Sequence, residues 1–365
     1  MAPRSDGMER DIPLRIADKV GEPPLGTPAR WPAGRLRLRR LDGGQRPTFA
    51  EDVRQGLTSS PKVLQPKYFY DELGSLLFAT ICALPEYYVF RAELEILRAS
   101  AGEVAAWLPG PIRVIELGSG DARKTRLLLD AILGRQGGLD YLPIDVSRTA
   151  LEQSSEELLS AYPNLRVTAW VGDYREALRT IREESQGPSS RFKHTLVLFL
   201  GSTLGNLEPG ERTELLRSVR SMLKPGDAFL VGVDLKKPEE VLIPAYDDPL
   251  GVTAAFNLNV LARINRELGG GFDLRSFRHR ARYDSRLGRI EMHLQSLRSQ
   301  AVPIRNAGPA GLEVQFEEGE TIHTESSYKF DPEQIAALAA EAGMELRRSW
   351  FDRARQFSSN LLVAL

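Results

Sequence analysis

The sequence predicts a doubly wound α/β fold interrupted by an α+β insertion, and three observations predict it. Apolar runs alternate with amphipathic stretches between residues 112 and 234. Several of those runs are continuously apolar, as strands of a parallel sheet covered on both faces must be. After Lys236 the alternation stops and longer runs of period two take over, with the α/β pattern returning near residue 332. The bulk numbers agree with a folded protein of ordinary kind: 365 residues, 42% hydrophobic, 27% charged, and a formal net charge of -1. That balance gives no field for nucleic acid or an anionic membrane. No run of about 18 apolar residues reads as a membrane span, and no apolar segment follows the N-terminal charges as in a secretory leader. The single cysteine, Cys82, cannot form a disulfide within the chain and reads as a small buried apolar residue in a reducing cytoplasm.

In order along the chain, residues 1–45 are rich in Pro, Gly and Arg and are expected to form a flexible arm. Within it, Arg35-Leu36-Arg37-Leu38-Arg39 alternates like a short strand suited to a sheet edge. Residues 46–99 read as helices broken at Pro61 and Pro85, with aromatics such as Tyr70, Phe78, Tyr87 and Tyr88 beside the turns. Such rings either staple helices to a core or wall a pocket. Strands follow at Ile112–Leu117, Tyr141–Val146, Leu165–Val171, Thr195–Leu200 and Ala228–Asp234. Helices lie between them at Arg123–Leu133, Thr149–Ala161, Tyr174–Glu184 and Glu211–Leu223. The insertion, residues 238–330, has a helix at Gly251–Leu268 and strands at Ser276–Tyr283, Arg289–Ala301, Glu313–Phe316 and Thr321–Lys329. Helix Pro332–Ala342 and strands Glu345–Phe351 and Asn360–Leu365 close the sheet, so that residues 100–237 and 331–365 form one domain.

Ligands of such a sheet lie beyond the carboxyl ends of its strands. The first strand there ends in Glu116-Leu117-Gly118-Ser119-Gly120, where Gly118 and Gly120 let a ligand approach bare backbone at a helix N-terminus. A glycine turn after a buried strand is often only a turn, so the neighbouring strand ends matter. Asp145 is placed to accept the hydroxyls of a ribose, and Asp173 with Tyr174 suits an adenine. Each acid alone could be a helix N-cap; their placement in step favours a nucleotide-like ligand. Lys124, at the wrong helix end for a cation, makes sense facing an anionic group of that ligand. Arg123 stands where a dinucleotide fingerprint needs its third glycine, so S-adenosylmethionine fits better than NAD. His194, His279, His293 and His323 lack zinc-ligand spacing and read as surface or sheet residues, with no metal.

Several motifs recur in order: Phe69-Tyr70-Asp71-Glu72-Leu73-Gly74-Ser75, Leu84-Pro85-Glu86-Tyr87-Tyr88, the glycine turn, Gly172-Asp173-Tyr174, Phe199-Leu200-Gly201-Ser202-Thr203-Leu204-Gly205-Asn206, Ala255-Phe256-Asn257-Leu258-Asn259-Val260-Leu261 and Thr324-Glu325-Ser326-Ser327-Tyr328-Lys329-Phe330. Together they resemble the histidine-specific Nα-methyltransferases of ergothioneine biosynthesis, over roughly residues 47–365. The resemblance implies a Rossmann-like class I methyltransferase sheet with an inserted α+β substrate-binding domain, S-adenosylmethionine as cofactor, and three methylations of the α-amino group of free L-histidine to give hercynine. It places Gly118, Gly120, Lys124, Asp145, Asp173 and Tyr174 at the cofactor. It places Tyr88, Asn206 and Tyr246 at the amine and carboxylate of the amino acid, Tyr88 and Asn206 being the catalytic candidates. Glu325 and Ser327 fall at the imidazole, and Tyr70, Phe78 and Met292 on the pocket wall. The expected setting is a cytoplasmic monomer with no nucleic-acid or membrane partner.

The chemistry of the last pair supports the substrate. Glu325 and Ser327 are two apart on a strand, so both face one side, and a carboxylate plus a hydroxyl complement the N–H and bare nitrogen of an imidazole. An amino acid with an apolar side chain would leave the carboxylate unpaired. The pairing of Glu325 with Ser327 argues against a relative acting on an indole-bearing substrate. A silent nucleotide-binding regulatory module is disfavoured by the full set of strand-end acids. Methyl transfer needs a neutral amine aligned with the sulfonium, so orienting residues matter more than a strong base.

Overall fold

The computed structural model describes residues 34–41, 48–184 and 192–365. Its N-terminal part contributes β1 (Leu36–Arg40), α1 (Phe49–Thr58), β2 (Lys62–Val63), α2 (Glu72–Ile81) and α3 (Tyr88–Trp107). The alternating part follows as β3 (Ile112–Leu117), α4 (Thr125–Gln136), β4 (Leu139–Asp145), α5 (Arg148–Ala161), β5 (Leu165–Val171), α6 (Tyr174–Glu184), β6 (His194–Phe199), α7 (Pro209–Met222) and β7 (Ala228–Asp234). Then come α8 (Glu239–Leu242), α9 (Val252–Leu268), β8 (Phe277–Asp284), β9 (Arg289–Ser296), β10 (Gln300–Ile304), β11 (Leu312–Phe316) and β12 (Thr321–Tyr328). The chain closes with α10 (Pro332–Glu341), β13 (Met344–Phe351) and β14 (Phe357–Ala364).

Eight strands form the central sheet in the order β1-β5-β4-β3-β6-β7-β14-β13. β1 and β3 to β7 pair in parallel, and β14 runs antiparallel between β7 and β13. Alternate residues of each strand serve opposite faces, as the two-residue period requires. Val114, Leu196 and Leu198 pack with α4 and α5 on one face, while Ile115, Val197 and Phe199 pack with α6 and α7 on the other. The insertion builds a second sheet, β12-β9-β8, to whose edge β2 of the N-terminal part adds, and the β10-β11 ribbon. Val53, Phe69, Tyr87 and Ile96 of the N-terminal helices share one apolar core with Phe256, Met292 and Ile322 of the insertion. No helix among the described residues is long and apolar enough to cross a membrane.

Four sequence expectations change. Residues 36–40 are not part of a loose arm: β1 pairs with β5, Arg35 donates to the carbonyls of Tyr162, Pro163 and Leu159 at 3.0 to 3.2 Å, and Arg39 stacks over Trp170 at 4.2 Å. The alternation seen there is an edge strand after all, whereas residues 1–33 and 42–47 lie outside the described chain. The expected strand Arg289–Ala301 breaks after Ser296, where Ser296 Oγ donates to the Arg298 carbonyl and turns the chain into β10. β14 starts three residues before Asn360, because the two carboxylate oxygens of Asp352 gather the amides of Ala354, Gln356 and Phe357 and return the chain early. Finally, the two-residue β2 escapes any periodicity reading; it exists because β12 offers it an edge.

Candidate active site

The cofactor end is built from neighbouring strand ends. Gly118 (φ 67°) donates its N–H to Ile144 O at 2.8 Å, and Gly120 (φ 52°) donates to Asp145 Oδ2 at 3.0 Å. Both glycines hold left-handed backbone, which L side chains rarely adopt. A Cβ built on either meets nothing within 4 Å, so the bare backbone faces open space. Asp145 Oδ1 takes the Ser147 N–H at 2.9 Å, which fixes the carboxylate while leaving a lone pair on each oxygen. Burial pushes the Asp145 carboxyl up, against the pull of these backbone donors. Beside it Val146 is 51% exposed, an apolar face at the rim. Gly118, Gly120, Asp145 and Val146 thus offer open backbone, a hydroxyl-accepting carboxylate and an apolar surface, a donor set that fits the nucleoside of S-adenosylmethionine.

The other cofactor candidates are placed less simply. Asp173 Oδ1 accepts the Arg175 N–H at 2.7 Å, so it caps the start of α6, and its neighbour Tyr174 packs on Phe199 with ring centroids 5.7 Å apart. Burial pushes the Tyr174 hydroxyl up to about 12. Lys124 has a partner within the protein. Its ammonium ion-pairs with Glu93, a wholly buried residue of α3 whose Oε2 also accepts the Gly201 N–H at 2.8 Å. A cation at the start of α4 is tolerated because this buried carboxylate faces it. Gly232 of β7 is required opposite, since a Cβ there would lie 1.9 Å from Glu93 Oε1. Backbone strain collects around the same turns: Ala122 and Ser202 hold φ of 55° and 61°.

The substrate candidates converge from five places. Tyr70 ends a single turn before α2, Phe78 lies on α2, Tyr88 starts α3, Tyr246 ends a turn before α9, and Glu325 and Ser327 sit on β12. Rings run edge to face from Tyr70 to Phe78 (5.5 Å), Phe78 to Tyr87 (6.1 Å) and Tyr87 to Tyr246 (6.2 Å), which makes a continuous aromatic wall. Met292 is buried directly opposite Glu325 in the β9–β12 ladder, so both side chains share a face. Burial raises the Glu325 carboxyl to about 7, although the Lys329 charge pulls the other way. No described residue hydrogen-bonds to or ion-pairs with that carboxylate, although Glu325 is only 8% exposed. Burial, then the charge of Glu325, also pushes the Tyr70 hydroxyl well above its ordinary range.

Below the wall lies a polar cluster that sequence reasoning missed. Asp234, at the end of β7, accepts from Tyr88 Oη at 2.8 Å and from Lys237 at 2.6 Å, and pairs with Lys329 at 2.9 Å. Lys329 also donates to Tyr246 Oη and Ser327 Oγ, each at 2.8 Å. Tyr88 therefore spends its hydroxyl on Asp234 and Lys237, whereas the Tyr87 ring joins the wall. Asn206 stands apart beyond β6, half-buried, its carboxamide without a partner among the described residues. Two signals pointed to the missed residues. Asp234 is another strand-end acid, and Lys329 continues the two-residue step from Glu325 through Ser327. For Glu93, buried in the middle of α3, the sequence held none.

Known proteins resemble this chain over most of its length. The profile of a family described as histidine-specific, SAM-dependent methyltransferases matches residues 49–364. A histidine N-alpha-methyltransferase of Mycolicibacterium smegmatis is 44% identical over 86% of this chain and 94% of its own. One from Mycobacterium tuberculosis is 43% identical, over 90% and 95%. Ergothioneine biosynthesis protein 1 of Schizosaccharomyces pombe is 29% identical over 86% of this chain but 40% of its own length.

Proposed function

The chain belongs to the histidine-specific, S-adenosylmethionine-dependent methyltransferases, and from that premise we propose how its residues divide the work. The enzyme methylates the α-amino nitrogen of L-histidine and carries the reaction through three rounds to hercynine, on the way to ergothioneine. S-adenosylmethionine, when bound, supplies an electrophilic sulfonium methyl group. Gly118, Gly120 and Asp145 hold its nucleoside end, with Asp173 and Tyr174 along the adenine side. Lys124 acts through Glu93 and Gly201, shaping the floor on which the cofactor lies.

One observation carries the substrate assignment: the buried Glu325 carboxylate without a protein partner, two residues before a serine on the same strand face. A carboxylate in that position loses the hydrogen bonds of water and gains nothing until a donor arrives. The N–H of an imidazole is such a donor, and its other nitrogen falls to Ser327. Tyr70, Phe78, Tyr87, Tyr246 and Met292 enclose the ligand. Asn206 and Tyr88 are proposed at the amine and carboxylate. Tyr88 acts there as a rigid, oriented hydroxyl rather than a base, because burial and Asp234 both push its phenol far above its ordinary range. The trimethylated product carries a fixed positive charge, which ring faces attract.

The proposed setting is a monomer in the cytoplasm acting on free histidine without nucleic acid or membrane, supported by one cysteine and a net charge of -1. Residues 46–99 and 238–330 are proposed as one substrate-binding unit and residues 100–237 with 331–365 as the cofactor unit, supported by the shared apolar core of the former. The test is direct. Purified protein is incubated with S-adenosylmethionine and each free amino acid, and products are read by mass spectrometry. Successive methyl additions on histidine are expected; their absence with histidine overturns the reading.

A further inference from the structure

The Lys329 side chain is fully buried and its ammonium meets three groups: Asp234 Oδ2 at 2.9 Å, Tyr246 Oη at 2.8 Å and Ser327 Oγ at 2.8 Å. An ammonium has three N–H donors and no lone pair, so these contacts exhaust it and both hydroxyl oxygens accept from it. The two hydroxyls also meet each other at 2.8 Å, and a single proton fits between them. A phenol is the stronger donor and an alkyl hydroxyl the stronger acceptor, so that proton belongs to Tyr246. Ser327 Oγ then has both lone pairs filled, and its own proton points out of the triangle.

We propose that Lys329 is a positioning residue which, through Tyr246, fixes Ser327 as a hydrogen-bond donor and so makes the site select the neutral imidazole ring, its N–H on Glu325 and its bare nitrogen on Ser327. This deepens the reading above and rests on the assignment of Glu325 and Ser327 to the ring. An imidazolium carries two N–H donors and no acceptor, so it would set a donor against the Ser327 proton, with the Lys329 charge behind it. The charged and titratable groups around the triangle are Asp234 and Lys237 from the end of β7, Tyr88 from α3, Tyr246 before α9, and Glu325 from β12. Asp234 is shared by two lysines, which leaves a net positive charge beneath the ring site.

The test compares Ser327→Ala, Lys329→Met and the double variant for histidine KM, kcat and cofactor affinity. Lys329→Met is expected to raise KM roughly tenfold or more, with cofactor affinity held within about twofold. The double variant should lose no more than the larger single loss, since both changes remove one interaction. Unchanged KM in Lys329→Met, or fully additive losses, overturns the inference. Unchanged KM in Ser327→Ala instead overturns the ring assignment itself. Lys329→Gln keeps two donors without the charge, so it should raise KM less. In the unaltered protein, imidazolepropionate keeps the ring and lacks the amine. Its binding near pH 6, followed by calorimetry in buffers of different ionisation enthalpy, should release more than about one proton, from the ring and from Glu325. Release of less than one means that the imidazolium binds, and overturns the inference however the variants behave.

Discussion

Glu325 and Lys124 carry opposite lessons about single residues. The Glu325 carboxylate has no partner among the described residues, so on the proposed assignment Glu325→Gln should raise the Michaelis constant for histidine by roughly 10- to 100-fold, the worth of a hydrogen bond to a charged group. Cofactor affinity, read by calorimetry, should not move; its collapse would place Glu325 in the cofactor's half of the site. Lys124 reads in the sequence like a ligand contact, yet it neutralises Glu93, 31 residues upstream on another helix. Lys124→Met should therefore act on stability first, costing about 3 kcal/mol or more because it strands a buried carboxylate. Urea unfolding checks this, and an unchanged midpoint with weakened cofactor binding would mean that Lys124 serves the ligand first.

At the scale of elements, α3 joins the two halves of the site. Tyr88 at its start reaches Asp234, and Glu93, five residues on and so about 7.5 Å along the axis, braces the strand-end turns through Lys124 and the Gly201 N–H. α2 is held as firmly at its entry. Asp71 caps it through the Gly74 N–H at 2.7 Å and ties it to α9 through Asn259 and Arg266. Asp71→Ala should cost about 1 to 2 kcal/mol for the cap alone. It should also raise the histidine KM more than it weakens cofactor binding, since α2 carries Phe78; equal effects on both ligands would contradict that division. In the β3–α4 turn, Gly120→Ala should destabilise by about 1 to 2 kcal/mol from the left-handed backbone. It should weaken cofactor binding far more, because its Cβ enters the open space before the turn.

For the whole molecule, buried carboxyls set the response to pH, and they pull in two directions. Hydrogen bonds from His293, Arg282 and Arg289 overcome burial and hold Glu291 down at about 2. Its contribution is present above the ordinary carboxyl value and lost as pH falls towards 2. Glu116 and Glu325 are raised to about 7, each mainly by burial. Their folded forms favour the proton, so that stability is full below the ordinary value of 4.5 and is lost as pH rises through about 7. The apo protein should thus be most stable in mildly acidic buffer. Glu325→Gln should gain on the wild type between pH 5 and pH 8, by on the order of 3 kcal/mol. Unfolding curves at the two pH values decide it; a parallel loss in both proteins would mean that Glu325 is solvated.

Much of this was legible in the chain because it rests on local periodicity. Continuous apolar strands, glycines at a turn and residues two apart on β12 follow from backbone geometry, which each segment carries with it. The edge strand β1 was visible as an alternation but not as a pairing, since which edge it joins depends on β5, more than a hundred residues away. Tyr87 and Tyr88 are indistinguishable as neighbours in sequence, and only the start of α3 turns one ring to the aromatic wall and the other hydroxyl to Asp234. The sequence by itself determined the sheet, the glycine turn between β3 and α4, and the shared face of Glu325 and Ser327 on β12. The tertiary structure decided which charges meet: Lys124 with Glu93, and Lys329 with Asp234, Tyr246 and Ser327. Partners of buried charges are chosen by packing between distant elements, and burial makes each choice strong enough to set orientation and pKa.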